Sequence, residues 1–234
     1  MPRLGRVPAP VIGFDLDMTL IDPRPGMVRV LTELSREAGL HLDGEHFAQN
    51  LGPPLDHVIR GFGVPEPRIP GLVARFRELY PAIVVPATVA LPGADAALAA
   101  VRTLGGKVLV VTGKYRPNAT RHLTALGWRA DWLVGELWAG GKAEALREHG
   151  ARIYVGDHVG DMIGAVTAGA TAVGVRTGPC DEAQLRAAGA EFVLPDLTGF
   201  PALLSELVSG AGSAAGSAAS TGSAADSSVD SPAD

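Results

Sequence analysis

Residues 11–19 read VIGFDLDMT, a short apolar run that ends in a cluster of oxygen-bearing side chains. The first four residues have the length and composition of a buried β-strand, and Asp15, Asp17 and Thr19 follow directly. In open α/β sheets, ligands bind beyond the carboxyl ends of the strands. We therefore expect the chemistry of this chain to lie at the end of this strand.

Further apolar runs of similar length occur along the chain, and helical patterns separate them. The runs after the first are residues 108–111, 132–134, 153–155, 171–175 and 191–194. The intervening helical patterns cover residues 94–104, 118–126, 142–148, 162–168 and 182–188. Short buried strands that alternate with helices indicate a parallel sheet covered on both faces. The predicted fold class is α/β, with a doubly wound parallel sheet.

The interval 23–89 breaks this alternation. Met27, Leu31, Leu34 and Ala38 recur at spacings of three and four, which indicates an amphipathic helix. We predict a small helical domain at 23–89, inserted between the first two core strands, with residues 1–22 and 90–208 forming the core. Residues 209–234 consist mainly of Ser, Ala, Gly and Asp and are predicted to form a disordered tail.

Composition excludes several classes of protein. The net charge of −5 gives no cationic surface for nucleic acid or an anionic membrane. No apolar segment approaches the ~20 residues that span a bilayer, and residues 1–10 lack the apolar core of a secretory signal. The single cysteine, Cys180, excludes an internal disulfide and a thiolate metal cage. The sequence predicts a cytoplasmic protein whose metal, if any, has oxygen ligands, and it leaves the oligomeric state unknown.

Carboxylates follow two of the predicted strands. Asp15 and Asp17 come after the first strand, and Asp157 and Asp161 come after the fourth. A single aspartate at such a turn is often only a helix cap, but four at one sheet edge indicate a site. Two unit charges ~4 Å apart at an effective dielectric of ~20 repel by about 4 kcal/mol, so the cluster needs compensation. One lysine and one divalent cation would balance Asp15, Asp157 and Asp161 if Asp17 is protonated. Oxygen ligands with a phosphate favour Mg²⁺.

Two of the three lysines lie beside this predicted site. Lys114 follows the second strand, and Lys142 begins the helix before the fourth. A compact ammonium suits a phosphoryl oxygen or an ionised nucleophilic aspartate, although a surface lysine at a helix end is the plain alternative. In the inserted domain, His57 and Arg60 lie three apart on one helical face. Arg60 is a candidate for substrate contact. The alternative is that it simply lies on a solvent-exposed face of the helix.

Four segments together resemble the ordered motifs of the haloacid dehalogenase-like (HAD) superfamily: DLDMT at 15–19, VVTG at 110–113, Lys142, and GDHVGD at 156–161. The resemblance covers residues 11–207. The helical insertion is similar to the C1 cap of the phosphoglycolate phosphatase-like and β-phosphoglucomutase-like branches. Met18 stands where the family most often has glycine.

The resemblance implies roles for the acidic residues. Asp15 would be the nucleophile that becomes an aspartyl-phosphate. Asp17 would protonate the leaving oxygen and later deprotonate water, and its backbone carbonyl would bind Mg²⁺. Asp157 would bind the metal directly. Asp161 would orient a metal-bound water or Lys142, which would neutralise Asp15 and the transferred group.

It also implies a phosphate-binding set. The Thr112 hydroxyl and the Gly113 N–H would hold the phosphoryl oxygens, with Lys114 beside them. Thr19 would hold the loop after the first strand next to the phosphate.

The implied function is a Mg²⁺-dependent phosphatase acting on a small phosphorylated metabolite, most like a phosphoglycolate phosphatase. Asp17 favours phosphate esters over carbon–halogen bonds, because dehalogenases lack that aspartate. Two alternatives stay open. One is a sugar-phosphate mutase of the β-phosphoglucomutase type, and the other is a non-catalytic relative that binds a phosphorylated ligand.

Overall fold

The computed structural model describes residues 9–137 and 140–217. Its strands are β1 Val11–Phe14, β2 Ile21–Asp22, β3 Val89–Ala90, β4 Lys107–Val111, β5 Trp132–Val134, β6 Ala151–Gly156, β7 Thr171–Val175 and β8 Phe192–Leu194. Its helices are α1 Arg24–Ala38, α2 Gly44–Gln49, α3 Leu55–Gly61, α4 Ile69–Ile83, α5 Ala94–Thr103, α6 Arg116–Ala125, α7 Gly140–Glu148, α8 Val159–Ala168, α9 Glu182–Ala187 and α10 Phe200–Ser217.

Six strands form one parallel sheet in the order β5-β4-β1-β6-β7-β8. This confirms the predicted α/β class. In β1, Phe14 pairs with Val110 of β4 and with Val155 of β6, so these three central strands end almost level with one another. The residues that follow β1, β4 and β6 therefore meet at one edge of the sheet.

The insertion after β1 has its own apolar cluster, to which α1–α4 contribute buried side chains such as Leu31, Leu34 and Phe76. A two-residue antiparallel pair, β2 with β3, joins the segment that leaves the core to the segment that returns. Strands of two residues carry no detectable periodicity, and the sequence did not predict this pair. The described residues up to Pro201 belong to one compact unit.

Residues from Ala202 onward form a second unit, which begins within α10. The backbone is helical to Ser217, whereas the sequence predicted a disordered tail from Ser209. The rest of the predicted tail, residues 218–234, lies outside the described residues. Among the residues described, no helix has the length and apolar character needed to cross a membrane.

Candidate active site

Three aspartates meet at the carboxyl edge of the sheet. Asp15 follows β1, Asp157 follows β6, and Asp161 lies in the first turn of α8. One carboxylate oxygen from each lies within 4.8 Å of the others, and all three side chains are buried. Asp161 also caps α8, because its second oxygen accepts a hydrogen bond from the backbone N–H of His158. The cap fixes the direction in which this carboxylate points.

Lys142 of α7 lies within this cluster. Its Nζ is 2.7 Å from Oδ1 of Asp15 and 2.5 Å from Oδ1 of Asp161. Burial alone would lower the pKa of Lys142, but the two carboxylates outweigh burial and hold the pKa well above its usual value. The lysine is therefore a fixed positive charge beside Asp15.

One lysine does not neutralise three buried carboxylates. Burial raises the pKa of Asp15 to about 7, against the partial opposition of Lys142. Burial, with the charges of Asp161 and Asp15, raises the pKa of Asp157 well above its usual value. A dication beside three carboxylate oxygens would offset this excess negative charge, and an all-oxygen donor set suits Mg²⁺. The residues therefore fit the predicted metal.

Thr19 and Thr112 occupy different places in the site. The Thr19 hydroxyl donates a hydrogen bond of 2.9 Å to Oδ1 of Asp157, so it holds that carboxylate in place. The Thr112 hydroxyl, beyond the end of β4, accepts a hydrogen bond from the Lys114 N–H. Thr112 and Gly113 line the same cavity as Asp15, where the sequence expected them.

Lys114 lies beside Thr112 and Gly113, where the sequence expected it, and it also contacts Asp17. Its Nζ is 3.0 Å from Oδ1 of Asp17 and donates a hydrogen bond to the Tyr80 hydroxyl. The charge balance predicted from sequence required a protonated Asp17. Lys114 supplies a positive charge beside Asp17 that the sequence-based balance did not include.

Arg60 lies outside the cavity that contains Asp15. Its guanidinium is partly exposed on α3 and pairs with Glu66 and Asp56, and it does not line the cavity that contains Asp15. Helical spacing predicted a shared face with His57 but gave no direction for that face. Asp56, four residues before Arg60, and Glu66 in the following turn are its partners. The structure thus does not bring Arg60 together with the other predicted site residues.

A cavity of about 290 Å³ lies above the aspartates, between the sheet edge and the inserted helices. Its floor is polar, with Asp15, Asp17 and Lys142 among its lining residues. The inserted helices and the loop between α2 and α3 contribute mainly apolar side chains, including Phe47, Leu51, Leu55, Val73 and Phe76. They also contribute one guanidinium, that of Arg77. The geometry suits a small ligand that carries its charge at the floor.

Met18, in the turn after β1, has a left-handed backbone with φ of 60°. This conformation costs a non-glycine residue roughly 1–2 kcal/mol, which accounts for the family's preference for glycine. Here the Met18 side chain is buried, and its apolar burial is worth a comparable amount. The turn therefore accepts methionine without losing the placement of its neighbours.

Sequence reasoning missed Gly178, in the turn after β7. A β-carbon at this position would lie 1.8 Å from Oδ2 of Asp157, so any side chain would displace the carboxylate or the turn. Glycines are frequent in this chain, and no local pattern distinguishes this one. It is recognisable only from the approach of two segments in space.

Replacement of Gly178 should disable the site. We expect Gly178→Ala to lower kcat/KM by about a hundredfold, because a displacement of about 1 Å at a reacting centre has an effect of that size. Gly71→Ala, where the added carbon meets nothing within 4 Å, is the matched control. Steady-state kinetics on both purified variants measures the difference. Wild-type kinetics in Gly178→Ala would show that Asp157 need not be held where it is.

Comparison with known proteins shows the family of this chain. The model of the family described as haloacid dehalogenase-like hydrolase matches residues 12–175. A phosphoglycolate phosphatase of Caulobacter vibrioides is 28% identical over 221 residues, which is 86% of this chain and 93% of that protein.

Solved structures share the fold. A haloacid dehalogenase-like hydrolase from Streptococcus pneumoniae has a TM-score of 0.72 at 22% identity, covering 83% of this chain and 98% of that one. A predicted phosphoglycolate phosphatase from Haemophilus somnus has a TM-score of 0.70 at 17% identity, and the match covers 86% of this chain and 100% of that one. The family match spans most of the chain and contains every element that forms the aspartate cluster. The chain belongs to the haloacid dehalogenase-like hydrolase family.

Proposed function

We propose that this hydrolase is a Mg²⁺-dependent phosphomonoesterase that works through an aspartyl-phosphate. The observation that carries the proposal is the buried cluster of Asp15, Asp157 and Asp161 around the Lys142 ammonium, on the floor of a cavity. Such a cluster is costly to stability unless it binds a cation and an anionic group. A phosphoryl group beside a dication meets both needs.

In the proposed reaction, a carboxylate oxygen of Asp15 attacks phosphorus and the bond from phosphorus to the leaving oxygen breaks. Asp17 gives its proton to the leaving oxygen. It then takes a proton from the water that hydrolyses the aspartyl-phosphate and restores Asp15. Lys142, Thr112 and the Gly113 N–H hold the phosphoryl oxygens, with Lys114 at the edge of this set.

The metal would be held by Asp15, Asp157 and the backbone carbonyl of Asp17, with Asp161 orienting the surrounding groups. When bound, Mg²⁺ would supply charge neutralisation to the transferred phosphoryl group. Thr19 contributes by fixing Asp157.

We further propose a small phosphorylated carboxylic acid, such as phosphoglycolate, as substrate. Arg77 of α4 lines the cavity, with its guanidinium 3.9 Å from the centroid of the Tyr115 ring and 3.9 Å from the Glu136 carboxylate. It makes no hydrogen bond within the described residues, so its donors are available. A guanidinium over an aromatic ring, in a wall that is mainly apolar apart from Asp56 and Glu136, suits a planar carboxylate. The homologue from Caulobacter carries the corresponding name.

The test compares phosphoglycolate with ethyl phosphate, which lacks the carboxylate. We expect Arg77→Ala to lower kcat/KM for phosphoglycolate by roughly ten- to a hundredfold, the worth of a charged hydrogen bond of about 1.5–3 kcal/mol. The loss on ethyl phosphate should be much smaller. Arg75→Ala, on the same helix but paired with Glu37 and Glu78 at the surface, is the matched control. Equal losses on both substrates would remove Arg77 from substrate selection.

A phosphate-release screen over small phosphorylated metabolites, with and without Mg²⁺, tests the reaction class itself. Release of inorganic phosphate supports hydrolysis. Isomerisation of a β-hexose 1-phosphate without phosphate release would support the mutase. Binding of phosphorylated ligands with no turnover would support the non-catalytic alternative.

A further inference from the structure

A buried polar chain joins the inserted helices to the core beside Asp17. The Lys114 Nζ lies 2.5 Å from the Tyr80 hydroxyl, and that hydroxyl lies 2.7 Å from Nε2 of His122. Tyr80 belongs to α4 of the insertion, His122 to α6 of the core, and Lys114 to the turn after β4. Tyr80 and His122 are each 1% exposed. None of the roles proposed so far uses Tyr80 or His122.

The chemistry of the three groups fixes the direction of this chain. An ammonium has donors and no acceptor, so the Tyr80 oxygen accepts from Lys114. The hydroxyl proton is then free to be donated to Nε2 of His122 in the tautomer in which that nitrogen carries no proton. Burial, and secondarily the charge of Lys114, lower the pKa of His122 to about 3 and keep the imidazole neutral. In this tautomer the neutral imidazole accepts through Nε2 and sets the rotation of the Tyr80 hydroxyl.

Asp17 is the group at the other end of the chain. Its Oδ1 atom is buried and makes no hydrogen bond within the described residues. The Lys114 Nζ lies 3.0 Å from this oxygen. The placement of the Asp17 carboxylate therefore depends on where Lys114 is held. Lys114 in turn is held by Tyr80.

We propose that Tyr80 is a positioning residue for Asp17: it acts through Lys114, and His122 orients its hydroxyl. The proposal rests on the proposed role of Asp17 as the acid that protonates the leaving oxygen. The Tyr80 ring lines the cavity, but its hydroxyl is committed to Lys114 and His122. The inserted helix α4 thereby contributes to acid–base catalysis through the core.

The test uses the leaving group as a readout, with Tyr80→Phe as the isosteric change. An alkyl phosphate needs its leaving oxygen protonated, whereas 4-nitrophenyl phosphate expels a stable phenolate without that help. We expect kcat/KM of the variant to fall by roughly ten- to a hundredfold for ethyl phosphate, part of the 10²–10⁴ that a general acid contributes. For 4-nitrophenyl phosphate the fall should be below about threefold, because that step does not use the acid. A packing defect would lower both values alike and would overturn the proposal.

Asp17→Asn and the double variant separate this inference from the proposed function. We expect Asp17→Asn to show the same bias against ethyl phosphate, and Tyr80→Phe to add no further bias in that background. If Asp17→Asn shows no bias, the acid role of Asp17 fails and the inference fails with it. If Asp17→Asn shows the bias and Tyr80→Phe does not, only the inference fails.

His122 gives a second route should Tyr80→Phe fold poorly. His122→Leu removes the acceptor and should reproduce the bias, whereas His122→Gln, whose amide oxygen can accept, should retain more activity towards ethyl phosphate. Equal bias in both His122 variants, or none in either, would contradict the proposed orientation of the hydroxyl.

Discussion

Asp15→Asn should abolish turnover while the protein stays folded. We expect kcat with phosphoglycolate and with 4-nitrophenyl phosphate to fall by roughly four orders of magnitude or more, as for other nucleophiles that form covalent intermediates. An amide at this position cannot attack phosphorus at a useful rate. Phosphate release under single-turnover conditions, with enzyme in excess, measures the residual rate. Turnover of an aryl phosphate at more than about one hundredth of the wild-type rate would move the nucleophile to another residue.

The stability of the same variant is its control. Because burial raises the pKa of Asp15 from 3.8 to about 7, the folded state binds a proton that the unfolded state releases between those values. The metal-free wild-type protein should therefore lose stability as the pH rises from about 4 to about 7. Asparagine has no such proton, and Lys142 keeps Asp161 as its partner. Thermal melting in chelator at pH 8 should place Asp15→Asn at or above wild type, which shows that lost activity is not lost folding.

Much of this site could be predicted because several of its residues directly follow strands in the sequence. An apolar run marks each strand, and parallel strands that end level bring Asp15, Thr112 and Asp157 to one edge. Lys142 was predictable for a related reason, since it begins the helix that leads into β6. Local sequence therefore predicted both the type of residue and its place in the sheet.

The contacts made by the inserted helices could not be predicted in this way. Tyr80 reads as an ordinary apolar position on α4, and its contacts with Lys114 and His122 span 34 and 42 residues of sequence. They exist only because α4 packs against the core. The place of Arg60 could not be predicted for the same reason: helical spacing puts it on a face, and packing decides that this face does not line the active-site cavity.

Removal of divalent metal should reduce activity to background. A catalytic dication contributes several kcal/mol to the transition state, so excess chelator should lower kcat/KM by roughly a thousandfold, and added Mg²⁺ should restore it. Binding can also be measured without substrate. At about 100 times its dissociation constant, a ligand stabilises the folded state by about 2.7 kcal/mol, which raises the melting temperature of a chain this size by roughly 5–10 °C.

Asp157→Asn locates the metal within the cluster. Its carboxylate is held by Thr19 and offers one of the three oxygens that lie within 4.8 Å of one another, so replacing it should abolish most of the Mg²⁺-dependent rise in melting temperature. Glu182→Gln, at the exposed start of α9, should retain the full rise and serves as the matched control. A full rise in Asp157→Asn would place the cation elsewhere. No rise in the wild-type protein with Mg²⁺ or Mn²⁺ would mean that Lys142 alone balances these aspartates, and the proposed chemistry would lose its metal.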